Sequence, residues 1–415
     1  MTFDQDARRP PAEHSPQAFP QSPVRHPAPA GEPVRPVWTA PVPPDRAGAI
    51  VLAVVGLSIA GLAVLLVLVY FSSLLGTGRL IACMLLALIP LTAILLAVRW
   101  VDRWEPEPRP ALWFALLWGA GISIVAALAV DLALYLAAQA GGLQPGQPDG
   151  DSSTVDFASA VIQAPIVEET AKGFGLLLLF WVMRRHFDGP VDGIVYAATI
   201  AAGFAFTENI QYFGSAMVEG GLDTLGMTFL VRGVLSPFVH VMFTICTGIA
   251  LGIAARRTGP AGAIGYFLLG LVPAIFLHAL WNGAFFFLDG DASIISYYLL
   301  VQVPLFMVAV VVVVVLRRRE VRVTLTRLNE YAAAGWFTEA EVVMLATPAG
   351  RRQARAWAAS QPRHKKLAMQ RFMTDATRLA FARERMLNAK AGRAARVDEA
   401  TLLGRLAADR AAVLG

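Results

Sequence analysis

The sequence predicts an all-α, polytopic membrane protein with about eight transmembrane helices and both termini in the cytoplasm. Of the 415 residues, 56% are hydrophobic and only 16% are charged, which is typical of membrane proteins. The hydrophobic residues are concentrated in runs of about 20, the length that crosses a hydrocarbon core of about 30 Å. Arginines fall in alternate connections between these runs, as expected for cytoplasmic loops.

Eight hydrophobic runs are long enough to cross a bilayer as helices. The first follows more than 40 mostly polar residues, so it does not have the position of a cleavable signal peptide. The predicted spans are Gly48–Ser72, Leu80–Val98, Ala111–Ala138, Phe157–Met183, Val191–Phe213, Gly233–Ala255, Ala261–Leu288 and Ile294–Leu316.

The basic and acidic residues in the connecting loops predict the orientation of the spans. Arginine clusters occupy one set of alternate loops, at residues 99–109, 184–185, 256–257 and 317–319. The opposite loops are acidic, with only Arg79 and Arg232 as cations near their edges. Eight spans with both termini inside satisfy every loop.

Reporter fusions test this topology directly. Fusions made after Asp149 and after Asp289 are expected to read outside, because both residues lie in acidic loops, and a fusion after Asp188 is expected to read inside. The readout is the activity of a reporter that works on one side of the membrane only. A reversed signal at any of the three positions would contradict the predicted arrangement.

Two cytoplasmic tails flank the predicted transmembrane domain of residues 47–316. Residues 1–46 contain 12 of the 26 prolines and are predicted to be disordered. Residues 317–415 carry 20 Lys or Arg against 9 Asp or Glu, and the spacing of apolar residues such as Phe372 and Leu379 predicts amphipathic helices. This basic tail is expected to lie on the anionic inner leaflet. Nucleic-acid binding is not expected, because no recognition motif is present.

Four consecutive predicted spans each contain a deeply placed ionisable residue: Glu168, Glu208, His240 and His278. A charge at the bilayer centre costs at least about 2.5–3.5 kcal/mol, so such residues are functional candidates. At a helical rise of about 1.5 Å per residue, they lie roughly 9–17 Å below the outer ends of their spans. Because these helices alternate in direction, the common depth predicts that the residues form one site.

The spacing around these residues predicts how they pair. Glu168 and the adjacent Glu169 point about 100° apart on a helix, so they are expected to have different roles. Lys172 follows them by four and three residues, so it can neutralise either carboxylate and leave the other available. His278 and Asn282 are four residues apart and therefore share one helical face.

The residue types indicate acid–base or metal chemistry. A carboxylate in an apolar environment can act as a general base. Of the six histidines, His240 and His278 are the two predicted to lie deep in the bilayer, and two histidines with one carboxylate would leave a fourth position of a zinc ion open for water. Asn282 can donate to a developing oxyanion.

At these residues the sequence resembles the PrsW family of intramembrane proteases, within the wider group that contains the CAAX prenyl endopeptidases. Three motifs, in order on the fourth, fifth and seventh predicted spans, carry the resemblance: Glu168-Glu169-x-x-Lys172, Phe204-x-x-x-Glu208 and His278-x-x-x-Asn282. The lysine spacing and the Glu of the second motif favour PrsW over the prenyl-protease branch. Asn282 stands where PrsW-like proteins often have Asp, which removes one anionic ligand.

The resemblance implies a role for each motif residue. Catalytic roles are implied for Glu168, as the residue that activates water, and for Glu169 and Asn282. Metal binding, with zinc as the expected ion, is implied for Glu208, His240 and His278. Supporting roles are implied for Lys172 and Phe204. Related enzymes are also argued to work by glutamate alone, so the metal is an open expectation.

The implied activity is hydrolysis of a peptide bond in or near the transmembrane segment of a membrane-anchored protein. An anti-sigma factor-like regulator is the expected substrate, and the plasma membrane is the expected location. A CAAX-type prenyl protease or bacteriocin-immunity relative would share the site but not the substrate. A proton-coupled transporter would use the Glu and His residues as a relay, although the internal repeat expected of many transporters is absent.

Overall fold

The computed structural model describes residues 46–140, 157–184, 187, 189–288, 291–388 and 393–415. Within these ranges all regular secondary structure is helical, which confirms the predicted all-α class. The predicted disordered tail lies outside the described residues except for Arg46, which begins the first helix. The α-helices are α1 (Arg46–Leu75), α2 (Thr77–Val101), α3 (Arg109–Leu117), α4 (Ile124–Ala140), α5 (Ala164–Val182), α6 (Pro190–Glu219), α7 (Gly221–Phe229), α8 (Val239–Arg257), α9 (Ala263–Phe287), α10 (Asp291–Tyr297), α11 (Val303–Ala333), α12 (Glu339–Ala346), α13 (Pro348–Ala359), α14 (Arg363–Asn388) and α15 (Arg393–Leu414).

Seven helical segments of the described chain have the length and apolar composition needed to cross a bilayer, which confirms the polytopic membrane architecture. They account for seven of the eight predicted spans. The fourth predicted span is also helical, because the π-helical segment Ala158–Gln163 leads directly into α5. It carries Glu168, Glu169 and Lys172, so its composition alone does not mark it as a span. The total of eight spans and their orientation stay predictions.

The predicted sixth span, Gly233–Ala255, is not one continuous helix. A π-helical segment ends at Leu235, and α8 begins only at Val239. Pro237 lies in the break, where its missing backbone N–H removes no helical hydrogen bond. His240 therefore lies in the first turn of α8 rather than within an uninterrupted span.

Helix α6 lies at the centre of the membrane domain. Its apolar segment is 89% buried, whereas the corresponding segments of α1, α2 and α9 are 17%, 28% and 33% buried. The helices α2, α3, α5 and α8 all contact it. The residues of α6 are therefore surrounded by protein rather than by lipid, which is the environment that intramembrane polar residues require.

Two glycines allow α6 and α8 to approach closely. A Cβ atom at Gly193 would lie 1.9 Å from the carbonyl oxygen of Gly248, and one at Gly248 would lie 2.3 Å from that of Gly193. Small residues at helix crossings permit such backbone contact in membrane proteins. Because α6 carries Glu208 and α8 carries His240, this crossing helps to set the distance between two candidate site residues.

Gly248→Ala is therefore expected to destabilise the protein by about 1–3 kcal/mol, the usual cost of overpacking. Gly265→Ala is the matched control, because a Cβ atom there meets no atom within 4 Å. Thermal unfolding of the purified variants in detergent measures the difference. Equal melting temperatures for the two variants would contradict the close crossing.

The C-terminal helices form a second hydrophobic core beyond the membrane spans. Its buried residues include Leu328, Phe337, Leu345, Phe372 and Leu379. The apolar spacing that predicts amphipathic helices thus corresponds to a packed helical core.

Helix α11 passes position 316 without a break, and the boundary placed there between domains stays a prediction.

Candidate active site

Four helices bring the predicted ionisable residues into one group. Helix α5 contributes Glu168, Glu169 and Lys172, α6 contributes Glu208, α8 contributes His240 and α9 contributes His278. The ring centroids of the two histidines are 5.3 Å apart, and both rings are buried. Residues that the sequence places at a similar depth in separate spans therefore meet in the folded chain.

Lys172 is fully buried and lies between the two acidic residues of its own helix. Its Nζ is 2.6 Å from Glu169 Oε1 but 3.7 Å from Glu168 Oε2. The same atom lies 3.4 Å from His240 Nδ1 and 3.9 Å from the centroid of the Phe204 ring. Glu169 is thus the carboxylate that pairs closely with Lys172. Phe204 supports the site by placing its aromatic face against the ammonium group.

The carboxylate of Glu169 is held by three side chains. Thr244 Oγ1 donates to Glu169 Oε2 at 2.9 Å, while Lys172 Nζ and His278 Nδ1 contact Oε1 at 2.6 and 3.1 Å. Both of its oxygens are therefore engaged, and it fixes one ring nitrogen of His278. This arrangement favours a positioning role for Glu169 over the predicted catalytic role.

Glu208 is engaged by a basic residue and by a histidine. Its Oε2 forms an ion pair with Arg232 and lies 2.6 Å from His240 Nε2. Arg232 also donates from Nε to Asn209 Oδ1 at 3.0 Å and lies over the ring of Tyr212. Glu208, which the resemblance implies as a metal ligand, is thus better placed to orient His240.

Glu168 differs from the other two glutamates because its Oε2 is buried and accepts no hydrogen bond from the described part of the chain. The nearest cationic or imidazole nitrogens are Lys172 Nζ at 3.7 Å and His278 Nε2 at 3.8 Å. Glu168, His240 and His278 each offer one ligand atom, and these atoms all lie within 4.8 Å of one another. The arrangement therefore offers a metal-ligand set that contains Glu168 in place of Glu208.

The charges and contacts of this group fit a divalent cation. Glu169 and Glu208 pair closely with Lys172 and Arg232, whereas Glu168 has only the shared Lys172, whose Nζ is 3.7 Å away. Each histidine directs one ring nitrogen toward a carboxylate, as metal-ligating histidines usually do. Two histidines and one carboxylate are also a ligand set of catalytic zinc sites.

Asn282 lies one turn beyond His278 on α9, and its Nδ2 donates to the carbonyl oxygen of Ala160 at 2.8 Å. Ala160 belongs to the π-helical segment that leads into α5, and π-helical segments often occur at functional sites. The bond ties α9 to the backbone that precedes Glu168. The structure therefore favours a positioning role for Asn282 over the predicted oxyanion role.

Three residues that complete the site were not predicted from the sequence: Thr244, Asn209 and Arg232. Thr244 follows His240 by four residues, so helical spacing would have placed it on the same face. Arg232 lies in an otherwise apolar stretch and could have been recognised as an intramembrane charge rather than as a cation at the membrane edge. No sequence signal distinguishes Asn209 from other polar residues.

A comparison with protein families agrees with this geometry. Residues 107–322 match the model described as PrsW family intramembrane metalloprotease. The chain belongs to this family. The matched residues contain all four helices of the candidate site, and the predicted resemblance to PrsW is confirmed. No solved structure matches the chain.

Curated relatives named Protease PrsW support the same assignment. The chain is 28% identical to the protein of Clostridioides difficile (strain 630) over 198 residues, which are 48% of this chain and 76% of that protein. It is 31% identical to the Bacillus subtilis (strain 168) protein over 144 residues, 35% of this chain and 60% of that protein. It is 34% identical to the Geobacillus kaustophilus (strain HTA426) protein over 97 residues, 23% of this chain and 39% of that protein.

Membership of the PrsW family confirms the predicted intramembrane protease and implies a metal. It favours the PrsW assignment over the CAAX-type alternative and over the proton-coupled transporter. The family match begins at Glu107, after α1 and α2, and ends within α11, so two membrane helices and most of the C-terminal helical core lie outside it.

Proposed function

We propose that this PrsW-family chain hydrolyses a peptide bond of a membrane-anchored protein, with Glu168, His240 and His278 at the reaction centre. One observation carries the proposal: a buried carboxylate oxygen without a hydrogen-bond partner among the described residues lies beside two histidines inside a bundle of apolar helices. Water activation inside a membrane needs such a polar group, shielded from lipid by protein.

Glu168 acts as the general base. Its Oε2 accepts the proton of a water molecule while the water oxygen adds to the carbonyl carbon of the peptide bond. The proton then passes from Glu168 to the nitrogen of the leaving amine, and the C–N bond breaks. The carboxylate returns to its starting form, so the cycle consumes one water molecule and leaves the enzyme unchanged.

The Glu168 carboxylate oxygen that does not accept the proton, together with His240 and His278, would hold the divalent cation that the family description implies. The two histidines and one carboxylate favour zinc. When bound, the cation would supply Lewis acidity that activates water and polarises the peptide carbonyl.

The remaining polar residues hold the two imidazoles in place. Glu169, fixed by Lys172 and Thr244, orients His278 through its Nδ1. Glu208, paired with Arg232, orients His240 through its Nε2. Such partners of ligating histidines typically contribute about 10–100-fold to metal affinity or activity.

The substrate that we propose is a membrane-anchored regulator of the anti-sigma factor type, in the plasma membrane. The location of the site within apolar helices supports a cut within or beside a transmembrane segment. The family match supports the reaction class.

Mapping of new protein termini in host membranes tests the function. Host cells that lack the endogenous protein receive either the wild-type chain or His278→Ala, and terminal peptides are identified by mass spectrometry. We expect wild-type-dependent termini that lie within or next to transmembrane segments. Identical sets of termini in the two strains, or cuts confined to soluble domains, would contradict the proposal.

A further inference from the structure

A cavity of about 1030 Å³ lies where the loop between α2 and α3 meets the C-terminal helices. The end of α2, the connecting loop, the start of α3, and residues of α13 and α14 line it. Its lining does not include the group around Glu168, so it is separate from the candidate active site.

Five arginines line this cavity, which we call the arginine cavity: Arg99, Arg103, Arg109, Arg351 and Arg355. The carboxylates that line it are Asp102 and Glu107. None of the five arginines forms an ion pair with a carboxylate in the part of the chain that the structure describes. Glu107 instead accepts a hydrogen bond from Tyr196 at 2.6 Å, and Asp102 Oδ1 accepts one from the backbone N–H of Glu107 at 3.0 Å. The cavity therefore has an excess of positive charge.

Arg351 forms a buried part of the cavity wall. It is buried and donates to the carbonyl oxygens of Leu345 at 2.6 Å and Trp104 at 2.7 Å, with its guanidinium 3.7 Å from the Trp104 ring centroid. Burial, followed by the positive charge of Arg355, lowers the pKa of Arg351 to about 9. The hydrogen bond to Trp104 and the contact with its ring attach α13 to the loop between α2 and α3.

Arg103 and Arg355 lie close enough for their positive charges to repel each other. Burial and the positive charge of Arg103 lower the pKa of Arg355. Arg355 donates to the carbonyl oxygen of Arg103 at 3.4 Å, which places the two residues side by side. An anion bound between them would relieve this repulsion.

The other part of the cavity is apolar and belongs to two helices that are long and apolar enough to cross a membrane. Leu95, Leu96, Leu112 and Leu116, from α2 and α3, line it. Trp100 and Trp113 are 46% and 59% exposed beside the arginines, as tryptophans at a membrane interface often are. The cavity thus joins an apolar cleft to a cluster of cations.

We propose that the arginine cavity binds a phosphate-bearing anionic membrane lipid. Its phosphate contacts Arg103 and Arg355, and the first part of an acyl chain lies against the leucines. Guanidinium groups suit phosphate because they can donate two parallel hydrogen bonds. A lipid is favoured over a soluble phosphate compound because the arginines lie next to an apolar cleft that continues between membrane helices. The bound lipid would bridge the membrane domain and α13, and this inference does not depend on the proposed proteolysis.

Lipid retention by the full-length protein tests this proposal. The protein is reconstituted in nanodiscs of phosphatidylcholine and phosphatidylglycerol in equal parts, and lipids that stay bound after mild detergent extraction are counted by native mass spectrometry. The double variant Arg103→Gln/Arg355→Gln is expected to retain phosphatidylglycerol about thirtyfold more weakly than the wild type, which is about 2 kcal/mol at 1.4 kcal/mol per tenfold. The matched control Arg318→Gln/Arg319→Gln removes two exposed arginines near the same membrane edge and is expected to retain the lipid.

Three results would overturn the proposal. The first is retention of phosphatidylglycerol by the double variant at the wild-type level. The second is a loss of phosphatidylglycerol by the control pair that equals the loss by the double variant. The third is displacement of the bound lipid by added inorganic phosphate, which would identify a site for soluble phosphate. If thermal unfolding shows that the double variant does not fold, the single variant Arg103→Gln is tested instead, because Arg103 is exposed. Its loss is expected to weaken lipid retention about fivefold. Unchanged retention by that variant would also reject the site.

Discussion

Replacement of Glu168 by Gln is expected to reduce proteolysis by about 10²–10⁴-fold, the contribution of a positioned general base. The amide matches the carboxylate in shape but cannot accept the proton of the attacking water. Insertion and folding should be preserved, because removal of a buried charge lowers the cost of placing the helix in the bilayer. The measurements are the cleavage rate of a membrane-anchored substrate and the yield of folded protein in the membrane fraction.

Two further variants make this result specific. Glu219→Gln, at the exposed end of α6, is expected to leave the rate unchanged. Glu169→Gln is expected to lose activity by a smaller factor, about 10–100-fold, because Glu169 acts by orienting His278. Full activity of Glu168→Gln would contradict the mechanism. A larger loss of activity in Glu169→Gln than in Glu168→Gln would indicate that Glu169 is the base and Glu168 the orienting residue.

Replacement of Lys172 by Met is expected to have the largest effect on stability, a loss of about 3–5 kcal/mol. The variant would leave the Glu169 carboxylate buried without the ammonium group that now lies 2.6 Å away. The side chains of both residues are at most 1% exposed, so water cannot replace the lost partner. Thermal or denaturant unfolding in detergent measures the change.

The double variant Lys172→Met/Glu169→Gln tests the cause of this loss. Removal of both charges should restore part of the stability, since no unpaired charge is then buried at this position. Arg79→Met, which removes an exposed cation from α2, serves as the control and should change stability little. Wild-type stability of Lys172→Met would show that the pair is less isolated from water than its burial indicates.

Much of the fold follows from sequence because a bilayer restricts the choices available to the chain. Apolar runs of about 20 residues predict helices, and ionisable residues within them, such as Glu168 and His278, predict a site. Helical spacing also correctly indicates that Lys172 reaches one carboxylate and leaves the other available.

The details of the site depend on contacts between helices, which the sequence does not contain. Whether Lys172 pairs with Glu168 or Glu169 depends on the rotation of α5, which packing against α6, α8 and α9 determines. Arg232 reaches Glu208 from a helix that is interrupted at Pro237, and the length of the apolar run hides this interruption. Asn282 shares a face with His278, yet its contact with Ala160 becomes visible only once α9 lies beside the π-helical segment.

The metal content of the purified protein is the most direct test of a site formed by Glu168, His240 and His278. The wild-type chain is expected to hold about one zinc ion, as a mononuclear site requires, and to lose activity with a chelator. His278→Ala should lose both the metal and the activity, whereas Glu208→Gln should bind the metal about 10–100-fold more weakly because it removes only an orienting partner. Metal-free wild-type protein that cleaves its substrate at full rate in the presence of a chelator would contradict this site.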